Sequence, residues 1–202
     1  MVSWFAGSAA MLLGFVGGSV ACQAAHGSEA RLSPWMRRFH LGLAVATGAL
    51  FLIAFLTRGL TPQLLFIWGF VTLLVALSVL EVERYRLPER TLVAGAFLAL
   101  LLGPGVTGFP WWAHLAGASA GGAILYLLSR APGTGVQLPD VELGLFVGAV
   151  LGQLVIVALL VAPAARVFGL FLHRRLNGGK EPSCIPFAPY LAAGSALAVL
   201  AI

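Results

Sequence analysis

Long apolar stretches separated by short polar segments run through the whole chain. The stretches cover residues 3–25, 40–57, 62–80, 91–109, 111–129, 141–172 and 186–202. A helix needs about 20 mainly apolar residues to cross the hydrocarbon core of a bilayer. The pattern therefore predicts an all-α polytopic membrane protein, with residues 1–202 forming a single integral membrane domain.

The stretch 141–172 is too long for one straight crossing, because at 1.5 Å per residue it would extend about 48 Å. Cytoplasmic loops are enriched in lysine and arginine. A turn near Gly152 and Gln153 gathers ten of the twelve basic residues on one side, namely Arg31, Arg37, Arg38, Arg84, Arg86, Arg90, Arg130, Arg174, Arg175 and Lys180. We therefore predict about eight membrane segments, both termini outside and the main basic loops in the cytoplasm.

The composition agrees with this interpretation. Hydrophobic residues make up 60% of the chain and charged residues 9%, whereas soluble domains are roughly 25% charged. This excludes a soluble enzyme, a disordered chain and a nucleic-acid-binding protein. The net charge of +5 follows from the topology, so we expect the lipid bilayer and its anionic headgroups as partners, and no nucleic acid.

Cysteines and histidines give no indication of a metal site or a disulfide framework. Cys22 and Cys184 are the two cysteines, too few for a zinc site. The histidines are expected at headgroup level, with His114 beside Trp111 and Trp112 in an outer aromatic belt and His26, His40 and His173 near the cytoplasmic side. We therefore expect no metal and no cofactor.

Acidic residues are the best candidates for chemistry, and all seven fall on the predicted cytoplasmic side. Glu81 ends the third span and Asp140 opens the sixth, so both are expected at the same depth. Two neighbouring carboxylates can act as general base and general acid, as in aspartic proteases. The alternative is that they cap helices or pair with Arg84, Arg86 or Arg130.

Three motifs along the chain contain these acids or flank them. In the first, Glu81 ends a helix, and Pro88-Glu89 follows seven positions later. In the second, Asp140-Val141-Glu142-Leu143 leads into the glycine-rich run of Gly144, Gly148 and Gly152. The third is Ile185-Pro186-Phe187-Ala188-Pro189-Tyr190-Leu191-Ala192-Ala193-Gly194. These motifs resemble those of the type IV prepilin peptidases, in which the first has a catalytic aspartate and then proline with an acidic or amide residue. The third motif carries the most specific resemblance.

The resemblance implies a prepilin-peptidase-like helix bundle in the inner membrane of a bacterium. It implies an aspartic endopeptidase that cleaves type IV pilin-like precursors at the cytosolic membrane face. Glu81 and Asp140 would be its catalytic residues. Pro88, Glu89, Pro186, Phe187 and Pro189 would belong to the substrate and scaffold motifs.

The departures from the family pattern lie at the catalytic motifs. Glu81 replaces an aspartate, Gln137-Leu138-Pro139 replaces Gly-x-Gly, and Glu142 replaces a lysine. The four-cysteine zinc domain of many members is absent from loop 26–39. Two interpretations stay open: a peptidase with a Glu/Asp pair, or a non-catalytic subunit or assembly factor of a larger membrane complex. A small transporter is a third.

Local patterns add three structural expectations. The Gly117-x-x-x-Gly121 spacing predicts close helix packing. Proline residues at 163, 186 and 189 are expected to break or start helices. Irregular backbone is expected around residues 131–140, where a cytosolic cavity would hydrate it.

Overall fold

The computed structural model describes residues 9, 12–14, 16, 34–84, 88–132, 134–176 and 186–200, with the backbone alone at 34–39, 83–84, 172–174 and 176. Regular structure within these ranges is helical throughout. The chain divides into two compact units, Met1–Arg84 and Tyr85–Ile202. The prediction of one integral domain stays a prediction.

The first unit contains two long helices, α1 (Pro34–Arg58) and α2 (Pro62–Arg84). A short turn at Gly59, whose φ is +66°, joins them. Their packing centres on Phe51 and Trp68, whose rings stack with centroids 4.8 Å apart. Apolar residues of both helices, such as Ala54 and Leu64, are buried around this pair.

The second unit contains five α-helices: α3 (Glu89–Thr107), α4 (Trp111–Arg130), α5 (Leu138–Leu151), α6 (Val155–Leu176) and α7 (Ala188–Val199). A 3-10 turn, Gly152–Leu154, joins α5 to α6. Residues 131–132 and 134–137 are not helical, which confirms the irregular backbone expected around residues 131–140 for the first part of that stretch. Residues 138–140 instead form the first turn of α5.

Glycines bring α4 and α5 into backbone contact. A Cβ atom added at Gly117 would lie 2.3 Å from the carbonyl oxygen of Gly152, and one at Gly148 would lie 2.1 Å from that of Gly117. A Cβ at Gly121 would lie 2.3 Å from the carbonyl oxygen of Gly144. The predicted close packing is thus confirmed, between helices of the same chain.

The chain reverses direction at Gly152, which ends α5 with a φ of +57°. Arg166, three turns into α6, donates a hydrogen bond to the carbonyl oxygen of Thr134, which precedes α5. One straight helix from residue 134 to residue 166 would separate them by about 48 Å. The predicted turn near Gly152 and Gln153 is therefore confirmed.

Four helical stretches of the described residues are long and apolar enough to cross a membrane: His40–Arg58, Pro62–Val82, Glu89–Thr107 and the combined stretch Leu138–Phe171. Helix α4 is not among them, because its glycine, serine, histidine and tryptophan residues lower its hydropathy. The predicted count of about eight segments is not confirmed. The first predicted span lies mostly outside the described residues.

Two local predictions need correction. Within the described residues 186–200 of the expected span 186–202, the helix covers Ala188–Val199 and is about 18 Å long. Pro163 does not break its helix, since it lies inside α6. Pro189 does start one: it stands in the first turn of α7, where its missing N–H has no helical partner to lose.

Candidate active site

One end of the second unit collects its charged groups, and we call it the charged end, comprising Glu89, Arg130, Asp140, Glu142 and Arg166. The contact of Arg166 with Thr134 brings α6 back to the start of α5. Helix α3 also begins at this end: its Glu89 is close enough to Glu142 for the two carboxylates to repel each other. Helix α7 begins here as well, since the Tyr190 ring packs on Gly169 of α6.

Asp140 is the third residue of α5, and its side chain is 3% exposed. Its Oδ2 accepts a hydrogen bond of 2.7 Å from the Gln137 N–H. Its own N–H donates to the Gln137 carbonyl oxygen at 3.1 Å. The first of these two hydrogen bonds is the carboxylate half of a capping box. The interpretation that Asp140 caps a helix is therefore confirmed. The capping hydrogen bond occupies one of its two carboxylate oxygens, Oδ2.

No arginine of the described segments forms an ion pair with Asp140. Arg166 interacts with it electrostatically but donates its hydrogen bond to Thr134. Arg130 instead donates to the Tyr126 hydroxyl at 3.0 Å and lies over the Tyr126 ring. The alternative in which Asp140 pairs with Arg130 is thus wrong, and its second oxygen accepts no hydrogen bond from any residue the structure describes.

The loop before α5 is held by Thr134 and Arg166. The Thr134 hydroxyl lies 2.7 Å from the Leu128 carbonyl oxygen and 3.1 Å from that of Ala131, near the end of α4. The Thr134 carbonyl oxygen accepts from Arg166. Gly135 adopts a φ of +63°, and a Cβ there would lie 2.5 Å from Nη2 of Arg166. The loop can approach the guanidinium this closely because residue 135 has no side chain.

Glu89 and Glu142 place like charges together at the charged end. Pro88 caps the start of α3 in an extended conformation, with φ −78° and ψ 92°, and the exposed Glu89 follows in the first turn. Glu142 is half-buried, and its Oε2 is buried with no hydrogen-bond partner among the residues described. The negative charge of Glu142, which stands where the family motif has lysine, is thus not balanced by a hydrogen bond at Oε2 from the described residues.

The third motif forms the start of α7. Pro186 precedes the helix, and the buried Phe187 is its N-terminal cap. The Phe187 carbonyl oxygen accepts hydrogen bonds of 3.1 Å from the Tyr190 and Leu191 N–H groups. The motif residues thus bring the start of α7 to the same end as Asp140.

Glu81 belongs to the first unit. It lies in the last turn of α2 and is 9% exposed. One turn earlier, the fully buried Ser78 donates to the Leu74 carbonyl oxygen of its own helix. Its pairing with Asp140 stays a prediction, as does the alternative pairing with Arg84 or Arg86: the Arg84 side chain and all of Arg86 lie outside the described residues.

The opposite end of the second unit corrects the prediction for His114. Its side chain is fully buried and not part of an exposed aromatic belt, whereas Trp111 and Trp112 are exposed. Nδ1 donates to the Ala149 carbonyl oxygen at 2.8 Å, and Nε2 lies 2.9 Å from the Thr107 hydroxyl. His114 therefore ties together α3, α4 and α5.

The described residues contain no group of three or more histidine, cysteine, aspartate and glutamate side chains that could hold a metal ion. Cys22, Cys184 and His26 lie outside the described ranges, as does the side chain of His173. The expectation that the chain uses no metal or cofactor stays a prediction.

Sequence reasoning missed two features of this unit. Arg166 has no part in the predictions from the sequence, although a lone arginine inside an apolar stretch indicates a polar partner. The Gln137-x-x-Asp140 spacing at a predicted helix start matches the spacing of a capping box. Both signals are visible in the sequence, but neither identifies Thr134 as the partner of Arg166.

Comparison with known proteins shows a distant similarity. The chain is 30% identical over 167 residues to the "Prepilin leader peptidase/N-methyltransferase" of Bacillus subtilis (strain 168). The match takes in 77% of this chain and 63% of that relative, so the chain spans less than two thirds of the relative's length. No family model and no solved structure matches the chain.

Proposed function

We propose that the chain is a prepilin-peptidase-like membrane endopeptidase that cleaves type IV pilin-like precursors at the cytosolic membrane face. The reaction would use the Glu81 and Asp140 carboxylates. The observation that carries the proposal is Asp140: a buried carboxylate at the start of a helix, with one oxygen held by a backbone N–H and the other accepting no hydrogen bond from the described residues. The distant relative's name supports the same class of activity.

The proposed chemistry needs one ionised and one protonated carboxyl group. The ionised group takes a proton from water as the water oxygen attacks the scissile carbonyl carbon. The protonated group gives its proton to the leaving amine as the C–N bond breaks. Each carboxyl group ends in the state in which the other began, so the pair is ready for the next turnover after one proton exchange.

The backbone hydrogen bond to Asp140 suits this role. An N–H donor to one oxygen fixes the carboxylate plane, and a fixed plane directs the other oxygen. Arg166 lies near this carboxylate but donates its hydrogen bond to the Thr134 carbonyl oxygen, so it does not occupy the second carboxylate oxygen.

We place the protein in the inner membrane of a bacterium, with its N-terminus outside and its basic loops in the cytoplasm. The charged end of the second unit would then face the cytoplasm. A pilin-like precursor would reach it from the bilayer, with its cleavage point at the level of the headgroups. Other membrane subunits are expected partners under the second candidate function.

That second candidate is a non-catalytic subunit or assembly factor of a larger membrane complex. A specific observation favours it: the Asp140 carboxylate already serves as a helix cap, a role that needs no catalysis. The replacement of an aspartate by Glu81 points the same way, since a carboxylate displaced by about 1 Å can cost a hundredfold in rate.

A cleavage assay separates the two candidates. The purified protein in lipid vesicles is incubated with a pilin-like precursor, alongside the variants Glu81→Gln and Asp140→Asn and the control Arg130→Gln. Cleavage that is lost in both acid variants and kept in the control supports the proposal, and unchanged cleavage in both dismisses the pair. If the unmodified protein cleaves no precursor, the subunit is favoured, and proteins that copurify in mild detergent identify its complex.

A further inference from the structure

Arg166 is the one basic residue of the apolar stretch 141–172. A cation within a membrane segment is costly unless it has polar partners, and such residues usually have a function. The three motifs shared with the prepilin peptidases do not include this residue. Its position in the middle of α6 therefore calls for an explanation from its contacts.

The contacts of Arg166 are with the backbone of the loop before α5. Nη1 donates to the Thr134 carbonyl oxygen, and Nη2 lies against Gly135, where a Cβ would be only 2.5 Å away. Its Nε is buried without a hydrogen-bond partner among the described residues. The guanidinium is thus used to hold the loop and forms no ion pair with Asp140.

The loop in turn holds Asp140. The Thr134 hydroxyl lies within hydrogen-bond distance of the Leu128 carbonyl oxygen of α4, so the loop is fixed from both sides. Two residues after the Arg166 contact at Gly135, the Gln137 N–H donates to Oδ2 of Asp140 at 2.7 Å. A continuous path of short contacts therefore leads from α6 to the carboxylate.

We propose that Arg166 is a positioning residue, which fixes the loop at residues 134–137 and through the Gln137 N–H orients the carboxylate of Asp140. The catalytic part of this inference rests on the proposed function. Arg166 anchors the loop from a separate helix, so that the carboxylate orientation depends on the packing of α6 as well as on the local turn.

The first test measures how fast a cysteine placed in the loop is alkylated, and it does not depend on enzymatic activity. Val136, which is 9% exposed, is changed to cysteine in a chain whose Cys22 and Cys184 are serine, and its alkylation by N-ethylmaleimide is timed in detergent. We expect Arg166→Met to speed alkylation at least fivefold. The control Arg175→Met removes an exposed arginine that lies over Phe171 of the same helix, and should leave the rate unchanged.

A second variant tests the same contact from the loop side. Gly135→Ala strains a positive φ in any background, but its methyl group meets Nη2 only while Arg166 is present. We therefore expect Gly135→Ala to speed alkylation more in the unmodified chain than in Arg166→Met. An equal effect of Gly135→Ala in both backgrounds would mean that Arg166 and Gly135 act separately, which would overturn the inference. Hydrogen exchange over residues 131–140 gives the same comparison if the cysteine variant folds poorly.

The third test uses precursor cleavage. We expect Arg166→Met to lower kcat at least tenfold with KM changed less than twofold, because the loop orients Asp140 and does not bind substrate. Arg166→Lys should restore part of kcat, since an ammonium can still donate to the Thr134 oxygen. Unchanged kcat, or a change in KM alone, would overturn the positioning of Asp140.

The outcomes separate this inference from the proposed function. If the unmodified protein cleaves no precursor but Arg166→Met still speeds alkylation, the proposed function fails and the anchoring of the loop stands. If alkylation is the same in Arg166→Met and in the unmodified protein, the inference is overturned whatever the cleavage assay gives.

Discussion

The two ends of the second unit use buried polar groups in opposite ways. At one end, both ring nitrogens of His114 have partners, and the fully buried ring packs against Gly103. At the charged end, Oε2 of Glu142 and Nε of Arg166 are buried without hydrogen-bond partners among the described residues. Buried polar groups normally form hydrogen bonds. The hydrogen-bonded first end therefore stabilises the fold, whereas the second has unused polar capacity, that is, buried polar atoms without hydrogen-bond partners among the described residues.

The difference explains where chemistry is expected. A fully bonded network stabilises the packing of three helices but has no group left to meet a substrate. The charged end has carboxylates from two helices and a backbone loop beside them. Leaving polar atoms without partners costs stability, and such a cost is typical of functional sites.

The largest effect is expected from Asp140→Asn at the charged end. Asparagine keeps the shape of the side chain, and its amide oxygen can still accept from the Gln137 N–H, but it can neither take up nor give up a proton. Loss of general acid–base catalysis lowers rates by about 10²–10⁴-fold. We therefore expect kcat for precursor cleavage to fall by that factor, with the free energy of unfolding nearly unchanged.

The matched control for this prediction is Arg130→Gln, which removes a charge near the loop whose described contacts are with Tyr126 of its own helix. Cleavage should change less than threefold. A variant Asp140→Asn that unfolds at much lower denaturant than the unmodified protein would show that this carboxylate is mainly a helix cap, and the contrast between the two ends would be lost.

The next largest effect is expected in the glycine contact between α4 and α5. In Gly148→Ala the added methyl group meets the carbonyl oxygen of Gly117, and neither backbone can move without separating the helices. Overpacking of this kind costs roughly 1–3 kcal/mol, occasionally more. We expect a loss of about 2 kcal/mol in the free energy of unfolding, measured by tryptophan fluorescence during denaturation of mixed micelles.

Gly105→Ala is the control, because a Cβ at Gly105 has no atom within 4 Å. This glycine lies within α3, where alanine is the better helix former by about 1 kcal/mol. The control should therefore be as stable as the unmodified protein or more stable. Equal losses in both variants would mean that the α4–α5 contact is looser than the structure indicates.

The glycine contact shows what the sequence could predict. The Gly117-x-x-x-Gly121 spacing indicates a close approach, because removing side chains on one helix face lets another backbone reach it. The turn at Gly152 follows from length and charge together. Both predictions depend on spacing along the chain or on regular helix geometry, and the structure confirms both.

His114 and Arg166 show what the sequence could not predict. The flanking Trp111 and Trp112 indicate a membrane interface and are indeed exposed, but the face on which His114 lies depends on how α4 packs. Its partner Ala149 is 35 residues away along the chain and contributes only a backbone oxygen. Arg166 likewise binds a backbone oxygen, that of Thr134. A backbone acceptor leaves no mark in the sequence, so both contacts required the fold.

A moderate loss in the free energy of unfolding is expected from variants at the His114 end. His114→Ala removes two hydrogen bonds and leaves the Ala149 carbonyl oxygen without its side-chain donor, a loss of roughly 1–3 kcal/mol. Thr107→Val removes only one of the two partners and should cost about 1 kcal/mol. Both variants should keep kcat within threefold when measured well below their unfolding midpoints. A large drop in kcat with stability preserved would place function at this end as well.

The smallest effect is expected from the like charges at the charged end. Glu142→Gln removes the repulsion from Glu89, and Glu142→Lys turns it into an attraction while restoring the residue type found in the family motif. Exposed charge pairs are worth about 0.2–1 kcal/mol, so we expect a gain of about 0.3 kcal/mol from this pair in the first variant and about twice as much in the second. In a Glu89→Gln background this part of the gain should vanish, because the partner charge is gone, and only a gain from removing the buried carboxylate should remain. Gains that persist there would have to come from the buried Oε2 of Glu142 itself, and the unused polar capacity of this end would then lie in a single side chain.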